Sequence, residues 1–165
     1  MAHEHGDYEA ARRYYEESIT LFRDLGNKAG IAMSLNNLGE VALKQGDLSQ
    51  ARSFLKEATE ICRDIGDKLR AAESLEAFAY LNQAEGKSER AAQLFGAADA
   101  LREILGAPLP PNERADYDRT AAAARTALSN AAFEAAFAAG RALPLDAAIA
   151  YALEDDTGDP SAGSE

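Results

Sequence analysis

Apolar and small residues recur along this chain at helical spacing, and glycine cuts the runs at regular intervals. Ile31, Leu35, Leu38 and Ala42 follow i, i+4, i+7 and i+11, and Leu48, Ala51, Leu55, Ala58 and Ile65 continue the pattern in the next segment. That spacing lines up one buried stripe along an α-helix. The interruptions form two interleaved series of period 40: Gly6-Asp7, Gly46-Asp47 and Gly86-Lys87, then Gly26-Asn27-Lys28, Gly66-Asp67-Lys68 and Gly106-Ala107-Pro108. Each repeat therefore reads as two antiparallel helices. Glycine suits such reversals because it enters the left-handed region without a Cβ penalty. Asp7, Asp47 and Ser88 stand where a side-chain oxygen can cap the following helix. A lone helix pair cannot cover its own apolar face, so the pairs must stack into a short solenoid.

The register sets Ala2 against Ala42, so the sequence opens in the last turns of a first helix. Gly6 to Gly26 is then a second helix without its partner. Its Tyr8, Tyr15, Ile19, Leu21, Phe22 and Leu25 would form an exposed apolar patch, and dimerisation through this end is expected. After Gly106 the period stops at a stiff break, Pro108, Pro110 and Pro111. Three further helices are predicted. One starts at Pro111-Asn112 and aligns Tyr117, Ala121, Ala124 and Leu128; one carries Phe133 and Phe137 and ends at Gly140; one follows Pro144 with Leu145, Ile149 and Leu153. The expected organisation is a half repeat plus two helix pairs over 1–106, capping helices over 107–154, and a disordered acidic tail over 155–165.

The repeated residues resemble a known family. Leu35-x2-Leu38-Gly39-x2-Ala42, followed by Gly46, Ala51, Leu55 and Ala58, is similar to the tetratricopeptide repeat. The next copy, Leu75, Phe78-Ala79, Asn82, Gly86, Ala91, Phe95 and Ala98, keeps the spacing. It loses the helix-packing glycine and places Asn82 at the usual aromatic position. The resemblance implies an all-α fold: a right-handed superhelix of antiparallel helix pairs, closed by a C-terminal helical cap. Further stretches, Glu89-Arg90-Ala91-Ala92-x-Leu94-Phe95-Gly96-Ala97-Ala98, Gly106 to Pro111 and Gly140 to Leu143, resemble the repeat region of large bacterial LuxR-type transcriptional regulators and signalling ATPases. That likeness implies an interaction or sensing module of a regulator. The chain has neither a basic helix-turn-helix nor a phosphate-binding Gly-Lys-Ser/Thr loop.

Between Ala29 and Gln45, Met33, Asn36, Asn37, Glu40 and Lys44 fall opposite the Ile31, Leu35, Leu38 and Ala42 stripe. In arrays of the resembled family this face of each first helix lines a concave groove. Adding 40 continues it to Glu73, Glu76, Ala77, Tyr80 and Ala84. The candidate binding residues are Met33, Asn36, Asn37, Glu40, Lys44, Glu73, Glu76 and Tyr80; the bland alternative is a solvated helix face. Asn36 and Asn37 offer donors and acceptors to a peptide main chain, and Tyr80 offers a flat surface with a polar tip. Glu40, Glu73 and Glu76 outnumber Lys44, which favours a neutral or basic peptide, or a helix of another domain, over an acidic tail.

Composition narrows the classes. Of 165 residues 28 are acidic and 17 are Lys or Arg, a net charge of −11. Direct binding to a nucleic-acid backbone is disfavoured. No apolar run approaches a membrane span and no signal peptide precedes the first helix, so the chain reads as cytoplasmic. The single Cys62 is expected in the core. His3 and His5 lack further ligands for a metal. No cofactor is implied and no catalytic constellation is found. Besides peptide binding, two readings stay open: sensing of a small effector in the groove or near Pro108, and a self-association scaffold without a specific ligand.

Overall fold

The computed structural model describes residues 3–154. The acidic tail from Asp155 onward and the side chains of His3 and His5 lie outside the described residues. The described chain is all-α: α1 (His3–Asp24), α2 (Lys28–Lys44), α3 (Leu48–Ile65), α4 (Lys68–Ala84), α5 (Ser88–Leu105), a single 3-10 turn (Pro111–Glu113), α6 (Arg114–Leu128), α7 (Asn130–Arg141) and α8 (Leu145–Leu153). Helices α2 and α3 form one intimate pair and α4 and α5 another; α1 packs on α2, and α3 on α4.

The reversals follow from local chemistry. Gly26, Gly46, Gly66, Gly86 and Gly106 all adopt positive φ, between +63° and +79°. The amide after the glycine then reaches back into the helix, as Asp47 N does to Ala42 O at 2.9 Å and Asp67 N to Cys62 O at 3.0 Å. Side-chain caps start the next helix: Asn27 accepts from Gly30 N, Asp47 from Gln50 N and Asp67 from Arg70 N. The expected cap at Ser88 is not made. Lys87 occupies that position, no side chain caps α5, and Ser88 is already inside the helix.

The expected break at Gly6-Asp7 is also absent, because α1 runs straight through both residues. Glycine permits a reversal without forcing one.

Leu38, Leu55, Leu75, Phe78, Leu81, Leu94 and Phe95 are the large side chains of the core, and alanines fill the crossings between them. Gly39 lets α2 and α3 close, since a Cβ there would lie 2.6 Å from the Leu55 side chain. Cys62 is buried as expected. The apolar patch expected on α1 is divided: Tyr15, Ile19 and Phe22 turn inward, Ile19 joining Leu35, Leu38 and Ala58, and Phe22 lying over Gly30. Tyr14, Leu21 and Leu25 remain outside.

The helices after the proline break fold back on the array. Helix α7 crosses α5, and α6 packs on both. Helix α8 sets Ala148, Ile149 and Ala152 into the main core beside α3, α4 and α5. Arg90 anchors it, donating to Tyr151 O at 2.8 Å with its guanidinium 4.2 Å from the Tyr151 ring centroid. Gly140 does not end α7, which continues to Arg141. It marks where α7 touches α5: a Cβ on Gly140 would lie 1.8 Å from Gln93 O, and one on Gly96 would lie 2.0 Å from Phe137 O. Among the described residues no single helix is long and apolar enough to cross a membrane.

Candidate functional site

Because α2 and α4 are the first helices of successive pairs, they lie side by side and turn equivalent positions to the same surface. There Met33, Asn36, Asn37, Glu40, Glu73, Glu76 and Tyr80 line a cavity of about 170 Å³, together with Arg70 and Glu113. An adjoining cavity of about 280 Å³ shares Glu40, Tyr80 and Glu113 and adds Leu43, Lys44, Ala84, Asp116 and Thr120. All eight residues singled out by the repeat register are thus brought into one cleft.

The cleft differs from an open helix face in two ways. Its third wall is the chain's own 3-10 turn and α6, which supply Glu113, Asp116 and Thr120. Tyr117 of α6 ties that wall to the core, 4.7 Å between ring centroids from Phe95, and Tyr80 also meets Phe95 edge-on at 5.6 Å. Secondly, α4 is surrounded by α2, α3, α5, α6 and α8, so its supposed outward face is largely covered. Asn36 and Glu76 are only 6% and 5% exposed.

Burial reassigns those two residues. Arg102 donates to both carboxylate oxygens of Glu76, from Nε at 2.7 Å and from Nη2 at 2.8 Å, and its Nη1 donates to Ala107 O at 3.1 Å. Glu76 is therefore an internal anchor for the proline break and not a free groove contact. Burial pushes its carboxyl up against the downward pull of Arg102, while Glu76 holds the Arg102 guanidinium firmly charged. Asn36 accepts from Ser74 Oγ and donates to Glu40 Oε1, each at 3.4 Å. It ties α2 to α4 and orients Glu40.

What stays accessible is acidic. Arg70 is engaged by Glu73 at 2.8 Å, which leaves Lys44 as the cation facing Glu40, Glu113 and Asp116 in the cleft. Burial first, then the neighbouring Glu113, pushes the Glu40 carboxyl up to about 7. Burial likewise raises the Tyr80 phenol, so it stays a neutral donor.

A raised carboxyl has a definite sign in folding. The native state holds the Glu40 proton up to about pH 7, while the unfolded chain releases it near 4.5. The contribution of Glu40 to stability is therefore complete below that lower value and is lost as pH rises towards 7. Denaturation of the wild type against Glu40→Gln between these pH values is expected to show the wild type losing ground steadily, and parallel profiles would refute the assignment.

Beyond the proline break lies another cavity, about 380 Å³, bounded by Glu76, Asp99, Arg102, Glu103, Pro108, Arg114 and Tyr117 among others. Among the described residues no group of three or more His, Cys, Asp or Glu is arranged to hold a metal ion.

The sequence profile of the tetratricopeptide repeat matches the chain over residues 1–64 and again over 30–103. The chain belongs to the tetratricopeptide repeat family. No curated protein and no solved structure matches it significantly. As in its family generally, the scaffold is of a kind that mediates protein–protein interaction.

In this tetratricopeptide repeat protein the cleft-lining residues that sequence reasoning missed are Arg70, Glu113, Asp116 and Thr120, together with Arg102, the buried partner of Glu76. For Arg102 the register carried a signal, because Phe22 and Cys62 stand at the equivalent positions of the preceding repeats. A charge replacing an apolar repeat position demands a buried counter-charge, and Glu76 is that partner. For Glu113, Asp116 and Thr120 there was no signal: they lie beyond the periodic region, and only the fold-back of α6 brings them to the groove.

Proposed function

We propose that this protein is a non-catalytic interaction module of a bacterial transcriptional or signalling regulator, working in the cytoplasm, that receives a short neutral or basic segment of a partner in the cleft between α2, α4 and α6. The observation that carries the reading is the concentration of Glu40, Glu113 and Asp116 around Tyr80 in one cleft with Lys44 as the facing cation. The regulator context is supported by the resemblance of the Glu89–Ala98 and Gly106–Pro111 stretches. A lysine or arginine side chain entering the cleft would lie near Glu40 and against the Tyr80 ring, where Coulomb attraction and cation–π contact act together. Asn37, on the wall of the same cleft, would bond the segment's main chain. The α6 wall limits the length admitted, so the cleft suits a short segment or a chain terminus more than a long extended peptide. The cavity near Pro108, with Arg102 and Arg114 on its walls, supports a second reading in which a small effector is sensed there.

A cation beside Glu40 favours its ionised form, so binding releases a proton near neutral pH. Calorimetric titration of short peptides matched in composition, one basic and one acidic, in buffers of different ionisation enthalpy tests this. Expected are at least roughly tenfold tighter binding of the basic peptide, proton release, and loss of both in Glu40→Gln with Tyr80→Phe. Tighter binding of the acidic peptide, or an unchanged affinity in that variant, overturns the reading. Stabilisation by a metabolite with Pro108-cavity dependence would favour the effector reading.

A further inference from the structure

The cavity near Pro108 is built unlike the acidic cleft. One wall is α5, with Asp99, Arg102 and Glu103; the second is the segment from Gly106 to Leu109; the third is the start of α6, with Arg114 and Tyr117. Glu76 of α4 also lines it. At about 380 Å³ it falls in the lower part of the ~300–1,000 Å³ range of small-molecule sites.

Its charged groups divide into those already matched and those that are not. Arg102 is occupied by Glu76 and by Ala107 O, so that pair is neutral and closed. Asp99 and Glu103, one turn apart on α5, share a single cation, Arg141. Two carboxylates against one guanidinium leave the α5 wall with an excess negative charge and with unused acceptor lone pairs. On the α6 wall the excess has the opposite sign. Among the described residues Arg114 makes no ion pair or hydrogen bond, and the Tyr117 hydroxyl has no hydrogen-bond partner. Burial first, then the neighbouring Asp99, raises the Tyr117 phenol, so it stays a neutral donor. Glu113 and Asp118 act on Arg102 and Tyr117 from nearby, but neither lines the cavity. Between the charged walls Ala107, Pro108 and Leu109 offer aliphatic surface only.

We infer that this cavity binds a free α-amino acid with an aliphatic side chain, its carboxylate on Arg114 and the Tyr117 hydroxyl, its ammonium on Asp99 and Glu103, and its side chain against Pro108 and Leu109. This rests on the effector reading and supplies the chemistry of the effector. A carboxylate suits Arg114, because a guanidinium can meet it with two parallel N–H bonds. An ammonium suits α5, because it adds the cation that wall lacks. A simple anion would face the carboxylates of α5 uncompensated, and a simple cation would face Arg114; only a zwitterion answers both walls. Such a ligand bridges α5 to α6. Since α6 also carries Asp116 and Thr120 into the cleft, an occupied cavity holds the third wall of the cleft to α5.

The probes are free L-valine, L-leucine and L-isoleucine, titrated into the isotopically labelled full chain and followed by NMR. Two analogues of leucine serve as controls: isocaproate, which lacks the ammonium, and isopentylamine, which lacks the carboxylate. Expected are saturable shifts at the amides of Gly106, Ala107, Leu109, Arg114 and Tyr117 with the amino acids, and binding at least roughly tenfold weaker for both analogues. Arg114→Gln is expected to weaken binding by a similar factor, and Tyr117→Phe, which keeps the ring on Phe95, by less. Arg114 is exposed and bonds nothing among the described residues, so its variant keeps the wild-type melting temperature, which checks that the fold is intact. No saturable shift at millimolar amino acid, isocaproate binding as tightly as leucine, or binding indifferent to Arg114→Gln each overturns the inference. Stabilisation by a metabolite that is not a zwitterion, still dependent on Arg114, would overturn it and leave the effector reading standing. If no small molecule stabilises the chain through this cavity, both fall.

Discussion

Gly140→Ala is expected to be among the most destabilising single substitutions in the protein, although it adds only one methyl group to a residue in the last turn of α7, and alanine is intrinsically the better helix former. The added Cβ would lie 1.8 Å from Gln93 O, and the obstacle is backbone, which no rotamer change relieves. Either α7 withdraws from α5 or both helices distort, so the loss is expected to reach about 3 kcal/mol or more, a fall in melting temperature on the order of 10 °C. Gly96→Ala meets the carbonyl of Phe137 at 2.0 Å from the other side and should behave alike. Gly39→Ala is the informative contrast, since its Cβ would meet the Leu55 side chain, which can move, and a smaller loss is expected. Thermal and urea denaturation followed by circular dichroism would measure all three. A neutral or stabilising Gly140→Ala would show that α7 does not lie on α5 in this way.

Removing Arg102 is expected to have a comparable effect by a different route. The side chains of Arg102 and Glu76 are only 8% and 6% exposed, and the guanidinium also bonds Ala107 O. Arg102→Ala leaves a buried carboxylate without its counter-charge and a carbonyl without its donor, at a cost of about 3–5 kcal/mol. The carboxyl can soften the loss by taking up a proton, so the variant should recover part of its stability as pH falls. Replacing both partners, as Glu76→Leu with Arg102→Met, should restore most of the deficit, because an apolar pair of similar volume has no charge to desolvate. A double-mutant cycle by urea denaturation separates the terms. Additive single losses would mean that the two side chains do not act as a pair. The same bond secures the start of the segment that carries Glu113, so Arg102→Ala is also expected to loosen the α6 wall and speed amide exchange from Ala107 to Glu113.

Both effects concern residues whose role was differently legible. The cleft was read from the 40-residue register because helices α2 and α4 are built alike and therefore stand alike; a periodic sequence yields periodic geometry. Within the cleft, one equivalence of the register did not hold. Glu76 occupies the position of Asn36, but its carboxylate is consumed by Arg102, and burial by α5 and α6 rather than sequence spacing decided that. Gly140 looked like a helix end for the same reason that Gly106 is one. Glycine serves both to turn a chain and to let two backbones meet, and which use applies depends on a neighbour distant in sequence.

By itself, then, the sequence determined the helix pairs, their caps at Asp47 and the left-handed glycine turns, and the apolar stripes that bury Leu38, Leu55 and Leu75. These rest on interactions within about four residues or on repetition of one local pattern, both of which are written in residue order. Only the tertiary structure decided that α1 runs unbroken through Gly6, that α6 walls the cleft with Glu113 and Asp116, that Arg102 neutralises Glu76, and that α7 meets α5 through two glycines. Each of these depends on which surfaces are left to bury once the local helices exist, and a side chain's chemistry follows from what covers it as much as from its identity.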